Sequence, residues 1–372
     1  MPTEAQVQAL TAQVLWAAFA LALAFGAIAQ RTQFCTMGAL ADIVTMGDWS
    51  RMRMWALAAG VAIVGFNAMV ALGWVRAGDS IYAGPRLMVL SHLLGGLMFG
   101  FGMVLASGCG SKTLVRVGGG NLKSLVVFVV LGVAAFATLK GLTAVWRVAT
   151  VDRVAVTLPA GQDLPSLLAL PGGPARATWA TLLGASFGGG LLVWALARPE
   201  GRRGDVLLGG IGIGGVVAAI WWVSGRLGHV AEHPLTLQEA FLATNSQRME
   251  SLSFVSPFAY TIDWLIFYSD ASKALTIGIV STAGVVLGSA AVALATRSFR
   301  WEGFRDATDT AHHLVGAVLM GVGGVTALGC TIGQGLSGLS TLSLGSFIAL
   351  AGILGGGVAA LRWQAWRLER AA

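Results

Sequence analysis

Three cysteines offer the most chemistry in this chain, and each stands at a break in apolar sequence. The segments are Arg31-Thr32-Gln33-Phe34-Cys35-Thr36, Ser107-Gly108-Cys109-Gly110-Ser111 and Leu328-Gly329-Cys330-Thr331. A buried cysteine ordinarily serves as a small hydrophobe. A thiol beside glycine at a helix end has a second use, because backbone N–H groups there point into a cavity and hold anions. The three are odd in number, lie far apart and include no Cys-x-x-Cys pair, so neither a disulfide framework nor a metal pair is expected.

Two of the thiols end copies of one segment. His92 to Cys109 returns as His313 to Cys330, with nine of eighteen positions identical at an offset of 221: His92/His313, Leu93/Leu314, Gly95/Gly316, Gly100/Gly321, Gly102/Gly323, Val104/Val325, Ala106/Ala327, Gly108/Gly329 and Cys109/Cys330. A duplicated apolar helix interrupted at matching places points to a transporter-like substrate path.

The elements that must position these thiols are membrane helices. Hydrophobic residues make up 56% and charged residues 11% of the 372, glycine reaches 52, and mean hydropathy is +0.75. Small residues at this level suit closely packed transmembrane helices. The net charge of +7 is spread in short clusters between apolar stretches, with no basic stripe interleaved with aromatics, so no nucleic-acid partner is expected. The stretch Met1 to Gln13 has no Lys or Arg, so the first apolar span is expected to remain in the mature protein.

Nine spans of roughly the 20 residues that cross a bilayer are expected, near 14–30, 54–75, 88–107, 122–142, 177–198, 205–224, 273–296, 311–329 and 346–362. With the N-terminus outside and the C-terminus inside, fifteen of the 24 cations fall on the cytoplasmic side, while the other nine share the outer segments with the long loops 143–176 and 225–272. The expected fold is an all-α integral membrane protein of two inverted repeats: 1–142 with four spans, an outer loop and connector helix at 143–204, and 205–372 with four more. Cys109 then ends near the cytoplasmic side and Cys330 near the outer side.

The residues after each Cys are too polar or glycine-rich for ordinary spans, so short re-entrant helices are expected there, at 31–47 and, as its mirror, at 236–252. In that outer pair Gln30-Arg31 matches Gln247-Arg248, while Cys35 faces Leu252. Path residues are therefore Cys35, Cys109 and Cys330 with their neighbours Gly108, Gly110, Gly329, Thr331, Gln33 and Gln334. Arg31, Lys112 and Arg248 are placed to attract an anion at the mouths, although each also reads as a topology charge. His92 and His313 read as interfacial helix-start residues, Trp221-Trp222 as an aromatic belt, and Asp263 equally as an intramembrane acid or a loop residue.

With these segments in view, the chain resembles the YeeE/YedE membrane proteins, bacterial transporters of thiosulfate and other sulfur compounds. The resemblance is carried by Gln30 to Cys35, by Gly100-x-Gly102 through Ser107-Gly108-Cys109-Gly110, and by Gly321-x-Gly323 through Gly329-Cys330-Thr331, and it runs from about Phe25 to Gly357. It implies an hourglass-shaped inner-membrane transporter, not an enzyme, whose thiols line the path for thiosulfate. No cofactor is implied, and a small cytoplasmic sulfur-carrier protein is the implied partner. The loop 143–176 departs from the pattern and leaves room for a different sulfur anion. Two other readings stay open: a membrane thiol oxidoreductase using Cys109 and Cys330, and a soft-metal transporter, for which no Met-Cys or Cys-His cluster is present.

Overall fold

The computed structural model describes residues 2–169, 173, 175–270 and 272–371. The first half holds α1 (Glu4–Thr32), α2 (Thr36–Met46), α3 (Ser50–Ala71), α4 (Val89–Leu105), α5 (Gly110–Gly118) and α6 (Leu122–Lys140). Short helices α7 (Leu142–Ala149) and α8 (Leu164–Leu168) follow, then α9 (Arg176–Leu183) and α10 (Gly189–Leu196), joined through a π-helical turn. The second half holds α11 (Gly204–Trp222), α12 (Ser256–Ile266), α13 (Ile277–Ala295), α14 (Ala307–Thr326) and α15 (Leu344–Ala371). Strand structure among the described residues is confined to two small antiparallel pairs, Arg86–Leu87 with the distant Val156–Thr157 and, as the second, the hairpin of His229–Val230 with Ala240–Phe241.

Eight helical stretches among the described residues are long and apolar enough to cross a membrane. The ninth expected span is α14, whose first turns carry Asp309, His312 and His313 and are too polar to join that set. It packs between α4 and α6 nonetheless. The last span runs on past 362 to Ala371, with Arg367 stacked over Trp363 at 4.9 Å and Arg370 over Trp366 at 4.1 Å.

Glycine sets how the repeated helices meet. A Cβ built on Gly95 lies 2.7 Å from the Gly323 carbonyl oxygen, and one built on Gly102 lies 2.7 Å from that of Gly316. These are the same two positions of the repeat, exchanged, so α4 and α14 cross antiparallel with their backbones in contact. Gly100 meets the Ile353 carbonyl of α15, and its copy Gly321 meets the Leu131 carbonyl of α6. The wider packing follows the same exchange: α1 packs on α13 as α11 packs on α3, and α4 packs on α15 as α14 packs on α6. Close small-residue contacts of this kind hold helices together where lipid supplies no hydrophobic drive.

One expected element is displaced. The segment 236–252 is a loop carrying half of the second hairpin, and the short helix of this half is α12, starting at Ser256. Ser256-Pro257 supplies the start, with proline in the first turn where its missing N–H costs nothing. Trp221 is also not an interfacial residue: it is fully buried, donates to Ser340 Oγ at 2.9 Å and packs on Phe66 and Tyr82, while Trp222 is exposed.

Candidate functional site

Cys35 and Cys109 each occupy the residue before a short helix, and Cys330 lies three residues before a short helical piece. Cys35 is the N-cap of α2 and accepts the Gly38 N–H at 3.3 Å; Cys109 is the N-cap of α5. Cys330 accepts the Gly333 N–H at 3.3 Å, at the head of the helical stretch 333–340. Sulfur replaces the usual capping oxygen, a poor substitute that leaves the first N–H groups weakly engaged.

Helices α4 and α14 stop in the same way. The N–H groups of Ala106, Ser107 and Gly108 bond to the carbonyls of Gly102, Val104 and Met103, and those of Ala327, Leu328 and Gly329 bond to Gly323, Val325 and Gly324. Ser107 and Leu328 both take the left-handed conformation, with φ of 56° and 58°. The chain thus turns out of each helix one glycine before the thiol.

These turns bring the cysteines together. Cys35 adjoins Cys109, Cys109 adjoins Thr331, and the backbone N–H groups of Phe254, Ile332 and Gly333 surround Cys330. All three thiols are buried, at 7%, 0% and 0% exposure. Around them the Thr36 hydroxyl and the Trp55 indole N–H have no hydrogen-bond partner among the described residues, while the Tyr82 and Thr331 hydroxyls lie beside Ser253 and Cys109. A buried polar group left unmade costs about 1–3 kcal/mol, so these two mark room for a polar guest.

Cavities open at both ends of this row. One of about 470 Å³ is lined by Gln33, Ser107, Lys112, Arg116 and Lys123, among others, and a neighbour of about 380 Å³ by Arg31, Gln33, Arg51 and Arg203. A third, of about 200 Å³, is lined by Glu250, Ser251, Ser253, Tyr260, Ser281 and Leu328. The first cavity touches Asn121, Ser298 and Asp309, and the third touches Leu139, Ile277 and Leu328. Those are opposite ends of α6, α13 and α14, so the cavities open toward opposite faces; residues two or three positions from the thiols (Gln33, Lys112 and Leu328) line them, and no cysteine does.

The other expected path residues divide. Gly110 approaches the Phe254 carbonyl so closely that a Cβ would lie 2.5 Å from its oxygen, whereas Gly108 has room for one. Gln33 accepts Lys112 Nζ at 2.6 Å. Gln334 is buried with both ends engaged, donating to the Ala327 carbonyl and accepting Ser346 Oγ at 2.6 Å; it braces the Gly329–Cys330 turn. Arg31 lines the second cavity, but Arg248 is exposed on a loop and lines none of the three. Asp263 is buried in α12 and paired with Lys273 at 2.7 Å, a structural ion pair. His92 bonds the Met88 carbonyl at 2.6 Å, and His313 that of Asp309 at 2.7 Å, as helix-start residues do. Thr36 was legible in the repeated Cys-Thr dipeptide, but nothing in the sequence marked Trp55 or Tyr82.

Comparison with known proteins agrees with this architecture. The chain is 24% identical over 358 residues to the thiosulfate transporter TsuA of Spirochaeta thermophila, covering 90% of this chain and 94% of that one. It is 27% identical over 318 residues to the thiosulfate transporter TsuA of Escherichia coli K12, covering 84% and 83%. The probable transporter YedE of Salmonella typhimurium is 33% identical over 92 residues, a quarter of this chain and 21% of its own length. The model of the sulphur-transport family matches residues 31–359, and the chain belongs to that family.

Proposed function

We propose that this protein takes up thiosulfate, or a sulfur oxyanion close to it, across the bacterial inner membrane along the row Cys35, Cys109 and Cys330. The observation that carries the reading is the placement of three buried thiols between cavities on opposite faces. The names of the full-length relatives support the substrate. Thiosulfate is a dianion with a soft terminal sulfur. Neutral thiols and half-engaged N–H groups meet such an ion without neutralising it fully, so it binds and leaves again. Thiolates would repel it. In this reading 1–142 and 205–372 are inverted halves around the connector 143–204, supported by the antiparallel glycine crossing of α4 and α14. The N-terminus lies outside and the C-terminus inside, which places the Lys112 cavity at the cytoplasmic face, where a sulfur-carrier protein collects the cargo.

The test is uptake of labelled thiosulfate by the purified protein in liposomes. Cys109→Ala and Cys330→Ala each abolish or severely reduce uptake at matched protein levels, and Cys35→Ala reduces it. The stability loss stays below the roughly 2–5 kcal/mol of a buried Leu→Ala change, since one sulfur is removed beside glycine. Wild-type uptake in both the Cys109 and Cys330 variants refutes the thiol path. Thiosulfate-dependent thiol oxidation without uptake favours the oxidoreductase reading, and copper retained on purification favours the soft-metal one.

A further inference from the structure

The large cavity holds a cation that the thiol path does not account for. Lys112 is 9% exposed and occupies the first turn of α5, where the helix dipole disfavours positive charge. Among the described residues its one side-chain hydrogen-bond partner is neutral, the Gln33 side-chain carbonyl, and no carboxylate lies within ion-pair distance. An ammonium carries three donors, so two remain unused. Burying a charge without a counter-charge is costly, and such a group persists where an anion completes it.

The surroundings fit that anion. Lys123 engages both carboxylates of the cavity, Asp309 at 2.9 Å and Glu302 at 3.7 Å. Arg116 donates to the Ser107 carbonyl at 2.7 Å, and Arg300 and Arg305 also face the cavity without an ion-pair partner among the described residues. Five Lys and Arg side chains thus face two carboxylates, an excess of three positive charges, of which Lys112 is buried and Arg300 and Arg305 are exposed. Gln33 lines both this cavity and its neighbour, and it sits two residues before Cys35 in the left-handed C-cap of α1.

We infer that this cavity is a second anion site, in which the Lys112 ammonium exchanges the Gln33 carbonyl for a divalent sulfur oxyanion arriving from or entering the thiol row. The Gln33–Lys112 hydrogen bond is its gate. The inference rests on the transport reading above and adds the charged residue that selects for a dianion.

Three substitutions in the full-length protein test it, each read by uptake into liposomes and by the melting-temperature rise that thiosulfate produces. Lys112→Met loses about tenfold or more of subsaturating uptake, the effect of one charge-assisted hydrogen bond, with no fall in melting temperature. Lys112→Arg keeps most of the uptake. Gln33→Glu puts a permanent carboxylate on Lys112, so uptake falls about tenfold while the protein melts no lower. A merely structural Lys112 gives the opposite signature, because Gln33→Glu then strengthens the contact and leaves uptake intact. Wild-type uptake and wild-type thiosulfate stabilisation in Lys112→Met or Gln33→Glu overturn the inference and leave the transport reading standing. If the wild type is stabilised by thiosulfate through Lys112 yet moves none, the site stands and the transport reading fails. Should Lys112→Met not fold, Gln33→Glu alone decides.

Discussion

Replacing Gly110 by alanine perturbs the spacing of the thiols without touching one. A Cβ at Gly110 lies 2.5 Å from the Phe254 carbonyl oxygen and 3.2 Å from Phe254 Cβ, against the 3.4 Å at which ordinary contact begins. The start of α5 and the bend at Phe254 must therefore part by about 0.9 Å, the difference of 3.4 and 2.5. Neither side yields cheaply, because one atom is backbone and Phe254 is fully buried against Phe25. Overpacking of this kind costs about 1–3 kcal/mol. The functional effect is larger. Gly110 follows Cys109, and the Phe254 N–H adjoins Cys330, so the shift opens the step between these two thiols. Gly110→Ala is expected to lower the melting temperature in detergent and to cut thiosulfate uptake about tenfold or more, as an ångström-scale misplacement does at other sites. Gly215→Ala on α11, where a Cβ meets open space, is the control. It gains up to about 1 kcal/mol of helix propensity and keeps wild-type uptake. Wild-type melting and uptake in Gly110→Ala refute the argument that this contact sets the thiol spacing.

Other consequences can be checked alongside. Asp42→Asn releases α2 from Arg51, an ion pair of 2.6 Å with Asp42 buried and Arg51 40% exposed; about 1–3 kcal/mol of stability and most uptake should go, as read by thermal melting and vesicle assay. The native thiols are buried, so a membrane-impermeant maleimide reads introduced cysteines cleanly. Ala160→Cys labels in intact cells and Glu369→Cys only after the cells are opened; the reverse pattern sinks the orientation. The Glu239 carboxyl, held below its ordinary range first by the His229 hydrogen bond and also by Arg76, ties the second hairpin to the 72–88 loop. A depressed carboxylate stabilises above its unfolded value and loses that contribution as pH falls through the folded one. Amide exchange at 229–241 should therefore rise below the ordinary glutamate range and already be raised at neutral pH in Glu239→Gln.

The membrane class, the helix count near nine and the helix breaks at Cys109 and Cys330 were legible because they depend on local composition and on a repeat of nine identities. The role of the repeated glycines was legible only in kind. That Gly95 faces Gly323 and Gly102 faces Gly316 is a property of the crossing, which sequence spacing does not specify. The displaced α12 shows where the repeat has decayed: the expected segment at 236–252, matched only through Gln247-Arg248, began twenty residues early and ended before the helix starts at Ser256-Pro257. Trp221 misled because a tryptophan at a helix end looks interfacial unless its long-range partners, Phe66, Tyr82 and Ser340, are known. Lys112 reads both as an anion-attracting mouth residue and as a topology charge. Its burial and its bond to Gln33, 79 residues away, cannot be told from a topology charge by position alone.

In the proposed transport reading, the decay of the repeat makes the two ends of the thiol row chemically different. A perfectly repeated, inverted chain presents the same chemistry to both faces, and an ion between them has no preferred side. Here the position equivalent to Lys112 at the 221 offset is Gly333, so the buried cation occurs on one side of the thiol row only. On the other side the cavity holds Glu250 and serines. In the proposed reading, a dianion on the row would face the Lys112 ammonium in one direction and, in the other, Glu250, whose carboxyl burial pushes above its ordinary range. Two charges moved inward against 100 mV of negative-inside potential cost about 4.6 kcal/mol, at roughly 2.3 per charge. A cation at the inner end of the row lowers the energy of the ion where that potential is least favourable to it. In the proposed gate, the neutral Gln33 carbonyl that holds Lys112 at 2.6 Å would retake the ammonium as the anion leaves, so the site would not become a trap. On that reading the shared glycines and thiols would make the passage, and the residues that differ between the halves would make its two ends unlike.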